Sequence, residues 1–142
     1  MTKSYEEWYA ENSKRFDDIS DNTSTKTVRE VHTAAMDFFV EAELEKYENG
    51  RESEIASCLL SWAFELEQHA AYKIKNEDGA EPTRSILFRS AACLGLQVGA
   101  SWSAVNLAEE GLKGKPRPSD ERILKAIAEG KVRPNNYKEY QF

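Results

Sequence analysis

Chemistry in this chain would have to start from two histidines, two cysteines and a few helical arginines. Glu65 and His69 stand four apart, a helical spacing at which both could reach one metal ion. A di-iron bundle needs Glu-x-x-His pairs on two helices, and the sequence contains no such pair. His32 follows Arg29 after only two residues, too close for the arginine–histidine signature of a helical ribonuclease. Cys58 and Cys93 lie among Ala, Leu and Ser without a neighbouring base, so packing rather than nucleophilic attack is expected of both. The glycines are isolated helix stops, not a phosphate loop. Glu41, Glu43, Glu45 and Glu48 spread around a helix and read as a solvated face. The expectation is therefore no catalytic residue, no metal and no cofactor.

Recognition is the better use for what remains. Arg84 and Arg89 sit amid small residues on one helical segment, where an arginine fork could hold a carboxylate or the backbone carbonyls of a bound segment. The alternative is structural: Arg84 paired with Glu81 or a helix terminus, and Arg89 with an acid of a neighbouring helix. If they bind a partner, Arg84→Glu with Arg89→Glu should abolish binding without unfolding. The aromatic N-terminus offers Trp8, Tyr9 and Phe16, with Tyr5, which either pack onto the rest of the domain or dock into another protein. Tyr137 and Tyr140, with Phe142, pose the same question at the other end.

The elements that must position these residues are helical. Over 142 residues, 40% are hydrophobic and 31% charged, enough apolar material for one compact domain. Apolar spacing predicts a helix over about 4–19, followed by the polar linker DNTSTKT. Thr27 and Glu30 form a capping-box pattern opening a helix to about Glu48, its apolar face assigned to Val28, Val31, Ala35, Phe38, Phe39, Ala42 and Tyr47. Gly50 stops it. Further helices are expected over about 53–74, from Pro82 to about Val98, from a Ser101 cap toward Gly114-Lys115-Pro116, and from a Ser119 cap through Ile123, Leu124 and Ile127. The fold class is all-α, built of antiparallel helical hairpins with about five to six helices. The expected division is an aromatic N-terminal helix and linker over 1–25, a helical domain over 26–130 and a tail over 131–142.

Net charge is −6, unevenly spread. Residues 1–50 hold 12 acids against 6 bases, whereas 111–142 hold 8 bases against 4 acids. An acidic body repels nucleic-acid phosphates, so nucleic acid could be touched only through the basic C-terminal segment. No apolar run approaches the roughly 20 residues of a membrane span. The first residues lack the apolar stretch of a secretory leader, and two apolar-flanked cysteines suit a reducing compartment. A cytoplasmic location without membrane contact is expected.

Two hairpins share a pattern. Ala92 and Gly95, then Ala104, Ala108, Gly111 and Leu112, place small residues where two antiparallel helices would cross, with Pro116 following. Leu44 and Tyr47, then Ala56, Leu60 and Ala63, form a looser version. The stretch Glu81–Pro116 resembles the tetratricopeptide repeat, and with it small bacterial, cyanobacterial-type helical proteins of that kind. Leu44 and Ala92 are 48 positions apart, against a repeat of about 34. The resemblance implies a non-catalytic scaffold, an adaptor or accessory subunit of a larger assembly that binds a protein segment in a helical groove, with self-association as another mode. Members that clamp a partner's terminal carboxylate use Lys and Asn where this chain has Arg89 and Cys93. A regulator that contacts nucleic acid through the basic tail is the alternative.

Overall fold

A computed structural model describes residues 3–77 and 79–132. Among the described residues the chain is helical and contains no strand: α1 (Tyr5–Ser20), a short 3-10 turn (Thr23–Thr25), α2 (Val28–Asn49), α3 (Glu54–Lys73), α4 (Thr83–Gln97), α5 (Ser101–Leu112) and α6 (Pro118–Ala128). None of these helices is long and apolar enough to cross a membrane.

Local chemistry explains most boundaries. The Ser4 side chain accepts the Glu7 N–H and starts α1. Thr27 and Glu30 form the reciprocal capping box, each side chain satisfying the other's backbone N–H. That pairing also holds the Glu30 carboxyl below its usual range, first through the Thr27 backbone N–H and then its hydroxyl. Gly50 ends α2 at φ 95°, a conformation that glycine adopts without steric cost. Two expected caps fall differently. Ser101 is already the first residue of α5, because Gly99 at φ 81° completes the turn from α4 early. Pro118 opens α6, so Ser119 lies inside it; proline favours the first helical position, where its missing N–H is not needed.

Two compact units divide the chain, residues 1–66 and 67–142. The N-terminal helix, expected as a separate segment over 1–25, belongs to the first unit. There, Val31, Ala35, Phe38 and Ala42 of α2 and Ala56, Leu59, Leu60, Trp62, Ala63 and Leu66 of α3 are buried. No α1 residue is fully buried; the helix instead lays its aromatic edge on Trp62. Arg15 of α1 donates from Nη2 to both oxygens of Glu41 at 3.1 and 2.9 Å, with its guanidinium over the Phe38 ring. Tyr47, assigned to the packed face of α2, and Leu44, placed with it at a hairpin crossing, are exposed instead. At 100° per residue they point away from Val31, Phe38 and Ala42.

In the second unit α4 packs on α5, and α5 on α6, around Phe88, Leu96, Leu107, Ile123, Leu124 and Ile127. Three residues, 98–100, join α4 to α5, so the two run antiparallel. Ala92, Gly95, Ala104, Ala108 and Gly111 are all buried. Gly111 marks a close approach: a Cβ there would lie 2.9 Å from Leu124 Cδ2 and 3.0 Å from Phe88 Cβ. The small residues thus admit the neighbouring helices, as their spacing suggests.

Candidate functional site

Arg84 lies in the first turn of α4, and its side chain is only 8% exposed. Its guanidinium donates from Nε to the Lys75 carbonyl at 2.7 Å, from Nη2 to the Glu110 carbonyl at 2.8 Å and from Nη1 to the Gly111 carbonyl at 3.4 Å. Nη1 also approaches Glu81 Oε2 at 3.9 Å, and the group sits over the Phe88 ring at 4.9 Å. Two of those carbonyls belong to the last turn of α5, where helical carbonyls lack intrahelical donors. The arginine therefore closes a helix end from within the second unit.

Glu81 organises the other side. Ser85 gives it a backbone N–H at 2.9 Å and a hydroxyl at 2.8 Å, and Lys115 gives a backbone N–H. Burial pushes the Glu81 carboxyl up, but these donors, with the Arg84 charge, hold it below its usual range overall. Gly114 makes room for the arrangement: a Cβ there would stand 2.2 Å from Glu81 Oε2 and 2.6 Å from Arg84 Nη1.

Arg89, one turn further along α4, places Nη1 2.9 Å from Oδ1 of Asp120. Asp120 is fully buried in the first turn of α6, and Arg117 donates from Nε to its Oδ2 at 2.8 Å. A carboxylate there also gains from the positive end of the helix. Ser90 donates its hydroxyl to the buried Glu67 at 2.6 Å.

Both arginines thus have the geometry of the structural alternative: a helix terminus and Glu81 for Arg84, a neighbouring helix's acid for Arg89. Binding a segment would require displacing these bonds. Arg84→Glu with Arg89→Glu is therefore expected to destabilise the fold itself, not only binding. The substitutions would set carboxylates beside Glu81 and Asp120 in low-dielectric surroundings, where like charges strongly destabilise.

The N-terminal aromatics gather around Trp62. Trp8 and Phe16 stack on its ring at centroid distances of 5.3 Å each, and Phe38 meets it edge-on at 5.2 Å. Tyr9 lies 6.1 Å from the same ring and stays partly exposed. An open groove of about 550 Å³ follows along Tyr5, Trp8, Glu45, Asn49, Ser53 and Ile55. Beside it the Tyr5 hydroxyl and Cys58 thiol are hydrogen-bonded; that bond, with burial, pushes the phenol up to about 12, and burial raises Cys58 as well. Tyr137 and Tyr140 lie outside the described residues.

Burial pushes the Cys93 thiol up to about 11, against a partial opposing pull from Arg89. The neutral thiol is consequently the form present at pH 8. In a Cys58→Ser background, the native protein should react with Ellman's reagent at pH 8 about 100-fold more slowly than the urea-unfolded chain. A difference under tenfold would show a thiol open to solvent. Among the described residues, no three His, Cys, Asp or Glu side chains group as metal ligands.

Some outward-facing residues escaped the sequence reading. Tyr47 and Leu44 of α2 and Trp102 of α5 stand in water. Their signal was present for α2: Val40, Leu44 and Tyr47 repeat at i, i+4 and i+7, half a turn from Val31, Ala35, Phe38 and Ala42. The buried acids Glu67 and Asp120 gave no sequence signal, since each is met by a side chain on another helix. Comparison with protein-family models, with curated proteins and with solved structures finds no match to this chain.

Proposed function

We propose that this protein is a non-catalytic protein-interaction module, an adaptor or accessory subunit built on tetratricopeptide-like helical hairpins and working in the cytoplasm. One observation carries the reading: large apolar side chains stand in water, Tyr47 at 90% and Trp102 at 82% exposure. Tyr and Trp are the residues most often found as binding anchors, and exposing them has a hydration cost that a partner would relieve. Several polar groups of the second unit are engaged within it. Arg84, Glu81, Arg89 and Asp120 hold helix ends together, and burial raises the half-buried Cys93 thiol above its ordinary value.

A tagged pull-down from native-host lysate, split into nuclease-treated and untreated halves and read by mass spectrometry, tests the proposal. A stoichiometric protein that survives nuclease is the expected result. Partners lost on nuclease treatment would transfer the function to the basic C-terminal segment and a nucleic-acid-associated regulator, with binding that falls steeply with salt.

A further inference from the structure

Helix α2 has two apolar stripes, one buried and one exposed. Val31, Ala35, Phe38 and Ala42 are at most 2% exposed. Val40, Leu44 and Tyr47 are exposed by 54%, 56% and 90%. With 100° between successive residues, the second set lies within about 40° of one line opposite the first. A solvent-facing helix side is ordinarily polar, so a ridge of three large apolar residues at i, i+4 and i+7 calls for a cover. That spacing is how a helix presents anchors to a partner.

The charges beside the ridge say what kind. By the same angular arithmetic Glu43 borders one flank, and Asp37 and Glu48 border the other; all three are exposed. Lys46, further round the helix, directs its ammonium at Glu43 from 3.3 Å. Residues 1–50 as a whole carry 12 acids against 6 bases. A second copy of the same ridge, packed antiparallel, would set this acidic border against another one, which like-charge repulsion opposes.

We propose that the outward ridge of α2 docks a basic amphipathic helix, whose apolar stripe covers Val40, Leu44 and Tyr47 and whose Lys or Arg residues face Asp37, Glu43 and Glu48. This rests on the interaction-module reading and names the partner's chemistry. Apolar burial supplies most of the affinity, and the acidic border supplies orientation and speed of association.

The test uses the full chain and two fluorescein-labelled synthetic helical peptides of about 18 residues, with Leu at i, i+4 and i+7 spacing. One peptide is bordered by Lys, the other by Glu. Anisotropy titrations should show saturable one-to-one binding of the Lys peptide and at least a tenfold weaker response to the Glu peptide. Val40→Ser/Leu44→Ser/Tyr47→Ser should weaken the Lys peptide at least tenfold while leaving helix content and the urea midpoint unchanged. Asp37→Asn/Glu43→Gln/Glu48→Gln should flatten the dependence on salt. Equal binding by the serine variant would reduce the effect to bulk charge attraction and overturn the proposal, as would equal binding of the Glu peptide or no binding of either. A wild-type dimer in sedimentation that the serine variant converts to monomer would also overturn it, in favour of a second copy. A lysate partner retained in full by the serine variant would sink the ridge assignment while leaving the interaction module standing; the absence of any stoichiometric partner would instead remove the module reading.

Discussion

Arg84→Met is expected to destabilise the protein by about 3–5 kcal/mol, the usual cost of removing one member of a buried charged network. The substitution keeps an aliphatic stem of similar length but withdraws every donor from the Lys75, Glu110 and Gly111 carbonyls. It also leaves the Glu81 carboxylate, now without its nearby guanidinium, in a part-buried site. Urea unfolding should show the midpoint falling by roughly 2 M. Arg84→Lys should recover only part of the loss, because an ammonium cannot reach three carbonyls spread across one guanidinium plane. Gly114→Ala should cost about 1–3 kcal/mol by overpacking, its Cβ intruding between Glu81 and Arg84. A loss under about 1 kcal/mol for Arg84→Met would mean that water satisfies these carbonyls equally well.

The same network sets an acid limit. The folded Glu81 carboxyl binds its proton less readily than the unfolded one, so its contribution is present above the ordinary carboxylate pKa of about 4.3 and is lost as pH falls through the lower folded value. Glu81→Gln should therefore be less stable than wild type at pH 7 and show a shallower decline below about pH 4.5.

Trp62→Ala is the second large effect, expected at about 3–5 kcal/mol. Trp62 is 6% exposed and receives the Trp8, Phe16 and Phe38 rings. Aromatic pairs add about 0.5–1.5 kcal/mol each beyond buried area, so truncation opens a cavity and removes these ring contacts together. Trp8→Ala, at a half-buried position, should cost about 1–3 kcal/mol. Near-UV circular dichroism should lose most of its tryptophan signal in Trp62→Ala. If both variants unfold at the wild-type urea concentration, α1 is not held on Trp62, and the aromatic segment would be free to dock elsewhere.

Where the sequence was informative, the controlling interactions were local. The Thr27–Glu30 box, the Gly50 stop and the run of helices to about residue 128 depend on contacts within four or five positions, which periodicity and capping residues report directly. The small residues Ala92, Gly95, Ala104, Ala108 and Gly111 were legible for a related reason: a missing side chain is itself the signal of close approach.

Periodicity says which residues share a helix face; it does not say which of two opposed faces is turned inward. For α2 the inward face was assigned correctly, and Phe38 and Ala42 are buried as expected; Tyr47 was grouped with them although 100° per residue sets it on the opposite side, where it is exposed. The arginines show the other boundary. Arg84 and Arg89 are equally able to bind a foreign carboxylate or a neighbouring one, and no property of their own segment decides between them. The decision comes from carbonyls and carboxylates more than 25 positions along the chain, at Glu110, Gly111 and Asp120, brought within hydrogen-bonding range only when α5 and α6 pack against α4. The sequence alone determined the helices, the buried stripe of α2 and the small-residue crossings; the tertiary structure decided what the arginines hold, because that follows from distances between segments far apart in the chain.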